Sequence, residues 1–143
     1  MTPPGVPDAS PGASRAVGMV TAPEAYLAAA DRLLTEVVSG ARGTWPRACA
    51  WLIRLALETE MNRFWESACP AIAGCRSRRA QFLLLPRYAG RDTSRRADQA
   101  WAALSRAGHH SYELGLTATE LHLLKDQVAA VSRALRLARQ QPR

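Results

Sequence analysis

Residues 44–68 read TWPRACAWLIRLALETEMNRFWESA, and this stretch decides the fold. Trp51, Leu52, Ile53, Leu55, Ala56, Leu57, Met61, Phe64 and Trp65 fill more than one stripe of a helical wheel. The spacing predicts a helix from about Thr44 to Ala68 that is apolar on most sides. Such a helix is usually the central member of a bundle, because only neighbours on several sides can bury it. Glu58 and Glu60 interrupt the apolar run, so at least one is expected to be partly buried. A buried carboxylate needs a cationic partner, most naturally an arginine. Pro70 and Gly74 are expected to end the segment.

Working outward, the flanking segments also read as helices. Upstream, Thr21-x-x-Glu24 is a capping box that opens a helix with Leu27, Ala30, Leu34, Val37 and Val38 on one face, stopped by Gly40 and Gly43. Downstream, a helix is expected from about Arg76 to Leu85, broken by Pro86. A linker to Arg91 follows, with Asp92, Thr93 or Ser94 as N-cap of the next helix. That helix carries a stripe of Ala97, Ala100, Trp101 and Leu104 and frays at Gly108. The last helix starts at a second capping box, Thr117-x-x-Glu120, with Leu116 and Leu121 as its hydrophobic staple. Leu121, Leu124, Val128, Val131 and Leu135 are its core stripe. About five helices with short links imply a single all-α bundle over residues 21–140. Residues 1–20 are rich in Pro, Gly, Ala and Ser and read as a disordered tail, and Met19 offers an alternative start.

Composition agrees. The 143 residues include 27 Ala and 17 Leu against 7 Val and 2 Ile, which favours helix over sheet. A hydrophobic content of 48% excludes a wholly disordered chain, and no apolar run is long enough for a membrane span. The three cysteines are odd in number and no signal-type apolar segment precedes them, so reduced thiols and a cytoplasmic location are expected. Cys69 and Cys75 lack zinc-knuckle spacing, and neither a metal nor another cofactor is expected.

The net charge of +7 is unevenly spread. Residues 76–96 sum to +6 through Arg76, Arg78, Arg79, Arg87, Arg91, Arg95 and Arg96, and residues 133–143 sum to +4. The body, residues 21–75 and 97–132, sums to −3. Arg exceeds Lys by 18 to one. Two readings of that preference compete, phosphate binding and the codon bias of a GC-rich genome, and bias would not explain the clustering. A guanidinium is a good phosphate fork, so residues 76–96 are the candidate nucleic-acid-binding segment.

Functional residue types concentrate in residues 105–113, SRAGHHSYE. Arg106 with His109 and His110 forms a minimal kit for metal-independent RNA cleavage: histidine moves protons while arginine neutralises the developing phosphate charge. The plainer role for all three is to cap the carbonyls at a helix end. His122 reads as a surface or boundary residue, and Tyr112 and the four tryptophans read first as core.

The motif LSRAGHH at residues 104–110, followed by LTATEL at 116–121, resembles the HEPN superfamily of small helical-bundle proteins. AWLIRLALE at 50–58 and RAQFLLL at 79–85 are similar to uncharacterised small proteins of actinobacterial type. The HEPN resemblance implies RNA binding, in many members metal-independent ribonuclease activity, and a homodimer that shares one site. It carries over Arg106 and His110, then His109, as the catalytic set. Their separation here is shorter than in the family's nuclease pattern. The alternative is a non-enzymatic helical module that uses residues 76–96 on nucleic acid or on an acidic protein encoded beside it.

Overall fold

The computed structural model describes residues 22–37, 45–109 and 116–141, without the side chains of residues 37, 108 and 109. Within them the chain forms six helices and no strand. These are α1 (Pro23–Val37), α2 (Trp45–Ala68), α3 (Pro70–Ala73), α4 (Arg78–Ala89), α5 (Arg91–His109) and α6 (Ala118–Gln140). The all-α bundle expected from the sequence is therefore present. The expected tail, the Thr21 cap, the Gly40 and Gly43 stop and Thr44 lie outside the described residues.

α2 is the central helix. It buries Cys49, Ala50, Ile53, Ala56, Leu57, Glu60, Met61, Phe64 and Trp65 and packs against α1, α3, α5 and α6. Trp65 is fully buried and stands edge-on to Phe64 and to Tyr88 of α4, with ring centroids 5.2 and 5.0 Å apart. The expectation that Trp51 is core is corrected: it is 59% exposed. After Ala68 the chain does not stop folding. Pro70 opens the one-turn helix α3, where its missing N–H costs no hydrogen bond, and Gly74 caps it.

α6 follows its sequence signals closely. Thr117 Oγ1 accepts from Glu120 N at 3.2 Å, and Glu120 Oε2 accepts from Thr117 N at 2.8 Å. Leu121, Leu124, Val128, Val131 and Leu135 are all buried, as the stripe requires.

The region around α4 departs from expectation. α4 starts at Arg78 rather than about Arg76, and Ser77 caps it, its Oγ accepting from Ala80 N at 3.2 Å. The helix does not end before Pro86 but continues to Ala89. An interior proline costs about 3 kcal/mol through its lost N–H and its clash with the preceding turn. Here the last turn has its own support: Tyr88 packs on Trp65, Ala89 packs on the core, and Gly90 N donates to Pro86 O at 3.2 Å. The expected linker shrinks to Gly90, whose φ of 86° and ψ of 160° suit glycine alone. α5 begins at Arg91, so Asp92, Thr93 and Ser94 are first-turn residues rather than N-caps. Ser94 N donates to Gly90 O at 3.1 Å, so one glycine closes α4 and opens α5. The helix is also intact past Gly108, through His109.

Candidate nucleic-acid interface

α4 and α5 pack against each other across the Gly90 turn and leave a groove of about 830 Å³ between them. Helical spacing explains its composition. Residues 79, 82, 83 and 86 lie on one side of α4, and residues 91, 94, 95, 98 and 101 lie on one side of α5. The floor and walls are Phe82, Leu83, Pro86 and Trp101, and the polar positions are Arg79, Arg91, Arg95, Ser94 and Asp98. Leu83 is 72% exposed, Pro86 and Trp101 are half-buried, and Phe82 is buried.

The seven arginines of residues 76–96 divide into two groups. Arg95 and Arg96 both pair with Asp92, at 2.8 and 3.0 Å. Arg78 is held more firmly: its Nη1 donates to Asn62 Oδ1 at 3.0 Å and to Gln81 Oε1 at 2.7 Å. Gln81, itself buried, donates through Nε2 to the carbonyls of Ile72 and Cys75, both at 3.2 Å. Arg78 therefore fastens α4 to α2 and, through Gln81, to the α3 turn. Burial lowers its pKa, Glu58 opposes that shift, and Arg54 adds to it. Arg76, Arg79, Arg87 and Arg91 are exposed and pair with no carboxylate among the described residues. Of these four, Arg79 and Arg91 line the groove.

Trp101 is not a free stacking platform. The Arg54 guanidinium lies 4.6 Å and that of Arg78 lies 5.7 Å from its ring centre, and Phe82 stands at 5.9 Å. Its aromatic surface is engaged by cations and by a neighbouring ring. The groove therefore offers guanidinium forks and an apolar floor, and base stacking on Trp101 is obstructed.

Of the second candidate set, only the side chain of Arg106 is among the described ones. Arg106 is exposed on α5, 11 residues beyond Arg95, or about 16 Å along the axis at 1.5 Å per residue. It does not line the groove. The backbone of His109 forms the end of α5, and His110 and Tyr112 lie outside the described residues. His122 is exposed on α6. Among the described residues no group of His, Cys, Asp and Glu is arranged to hold a metal. Cys49, Cys69 and Cys75 are free thiols. Cys49 is buried, its Sγ–H donates to Ala30 O at 3.7 Å, and burial pushes its pKa up to about 11, which makes it a poor nucleophile.

Sequence reasoning identified the arginines but missed Phe82, Leu83, Pro86, Ser94, Asp98 and Trp101 as their neighbours. The signal was the i, i+4 spacing of Arg79 with Leu83 and of Arg91 with Arg95. It becomes legible only once α4 is known to continue past Pro86. No helix among the described residues is long and apolar enough to cross a membrane. No protein-family model, curated protein or solved structure matches this chain.

Proposed function

We propose that this protein binds nucleic acid through the phosphate backbone, with α4 and the first turns of α5 as the contact surface. The observation that carries the reading is the group of four exposed arginines, Arg76, Arg79, Arg87 and Arg91, that have no carboxylate partner among the described residues. Unpaired guanidiniums gathered on a chain whose body is otherwise slightly acidic have phosphate as their natural counter-charge. With Trp101 already covered, the contact reads backbone rather than sequence.

The test is fluorescence anisotropy with labelled RNA and duplex DNA over a range of salt. Four phosphate contacts predict a log–log slope of about −3.6 on duplex DNA and about −2.8 on a single strand. Arg79→Ala together with Arg91→Ala removes two contacts and makes both slopes shallower by about half. A flat salt dependence, or no binding at low salt, overturns the proposal. The same RNA incubated in EDTA reads the ribonuclease that the HEPN resemblance implies. Cleavage lost in both Arg106→Ala and His110→Ala adds catalysis to binding, and intact RNA leaves a binding module.

A second reading is favoured by the apolar floor. Phe82, Leu83 and Pro86 beneath Arg79, Arg91 and Arg95 suit an acidic amphipathic helix of a partner protein laid into the groove. Leu83→Gln separates the two. It weakens docking of an apolar helix without adding a charge beside Arg79 and Arg91, so unchanged nucleic-acid affinity in Leu83→Gln supports the first reading.

A further inference from the structure

The outward face of α6 has a pattern that the bundle does not use. Leu123 and Leu137 are 64% and 62% exposed, although both are large and apolar. They are 14 residues apart, two heptads, with the half-buried Ala130 midway between them. At 100° per residue, Leu123 and Leu137 lie within about 20° of Ala130 around the helix axis, on opposite sides of it. The half-buried Ala134 lies beside them, and the exposed Asp126 and Arg133 share one edge of the stripe. None of the ion pairs among the described residues involves Asp126 or Arg133.

This face is self-complementary about Ala130. A two-fold axis through that point, perpendicular to two antiparallel copies of α6, puts position n of one copy level with position 260 − n of the other. Leu123 then meets Leu137 of the second copy at both ends of the seam. Asp126 falls within one residue, about 1.5 Å of rise, of Arg133 of the second copy on the same edge. The small side chains of Ala130 and Ala134 allow the axes to approach to about 8 Å at the centre. Charge fixes the direction. In a parallel pairing the two-fold axis would put the Asp126 and Arg133 of the two copies on opposite edges of the seam, and neither ion pair would form. An isologous dimer needs one patch to supply both halves of every contact, and this face does. We propose that α6 pairs antiparallel with α6 of a second copy of this chain, centred on Ala130 and registered by two symmetric Asp126–Arg133 ion pairs. The inference uses no residue of the α4–α5 groove and does not rest on nucleic-acid binding.

One helix pair is a small interface, so the dimer is a weak one. The test is sedimentation velocity of the full chain over a concentration series. The wild type is expected to show a monomer–dimer equilibrium. Asp126→Arg and Arg133→Asp, each placing like charges opposite one another, are expected to weaken dimerisation by about 10-fold or more. The double variant, Asp126→Arg with Arg133→Asp, restores the pairs with reversed sign and is expected to recover most of the wild-type affinity. Leu137→Glu is expected to be monomeric. A wild type that stays monomeric up to about 1 mM overturns the proposal. So does a dimer indifferent to the single charge reversals, or a double variant that fails to recover. Nucleic-acid binding that persists in monomeric Leu137→Glu shows the two inferences to be independent.

Discussion

Glu60 is the residue at which burial and charge oppose one another most directly. It is 1% exposed, and its two oxygens stand 3.4 Å from Arg136 Nε and 3.7 Å from Arg139 Nη2. Neither contact is a hydrogen bond, and neither oxygen has a hydrogen-bond partner among the described residues. Burial raises the pKa of Glu60, and this outweighs the lowering by Arg136 and Arg139. The folded state therefore holds this proton more tightly than the unfolded chain does. Glu60 favours the fold most below its ordinary value near 4.5, and its contribution falls as pH rises through the raised value. Glu60→Gln should remove that decline, which urea unfolding at a series of pH values from 4 to 8 would show as a flatter stability profile than the wild type. Arg136→Ala should act oppositely. It leaves Glu60 with Arg139 alone, at a cost of about 3 kcal/mol near neutral pH and less in acid, where Glu60 is neutral. An equal loss at both ends of the series would mean that Arg136 acts through packing and through Glu24 rather than through Glu60.

Among the elements, the α4–turn–α5 hairpin shows what local sequence rules reach and where they stop. Thr117 and Glu120 place the start of α6 because a capping box is a contact between residues three apart, entirely local. The buried stripe of α6 is local too, since one periodicity describes it. Pro86 misleads because its penalty is local while the compensation is not: Tyr88 rests on Trp65, 23 residues earlier in the chain. The groove was illegible for the same reason. It exists only when α4 reaches Ala89 and a single residue turns the chain into α5. Gly90 is that residue, and its place in a region of φ and ψ nearly closed to side chains gives a direct test. A Cβ there would meet nothing within 4 Å, so Gly90→Ala is a pure backbone experiment. It should cost about 1–3 kcal/mol with no steric contribution, measured as a lower urea midpoint. A neutral Gly90→Ala would mean that the turn can relax to negative φ, and the α4–α5 angle that shapes the groove would then be adjustable.

At the scale of the whole molecule, stability and the candidate contact surface are unequally distributed. α2 carries the largest share of the core and packs against α1, α3, α5 and α6, whereas α4 leans on α5 and α6 and exposes Leu83 and Leu84. The helix that bears Arg79 and Arg87 is thus peripheral. Its ties to α2 are few: Arg78 to Asn62 and Tyr88 edge-on to Trp65, with Gln81 holding the α3 turn. Local opening is least costly where few apolar contacts must be broken. Backbone amides of α4 are therefore expected to exchange with solvent through a local opening, well before those in the middle of α2, which should exchange only on global unfolding. Arg78→Ala should widen the gap, speeding exchange across α4 by about 10- to 150-fold, since a lost charged hydrogen bond costs roughly 1.5–3 kcal/mol, while leaving the α2 amides nearer their original rates. If α4 and α2 amides slow and quicken together in both proteins, the bundle opens as one cooperative unit. α4 would then be as rigid a platform as the core itself, and any ligand in the groove would meet a preformed surface. If α4 opens alone, ligand binding must also close that opening, and bound nucleic acid should protect α4 amides selectively.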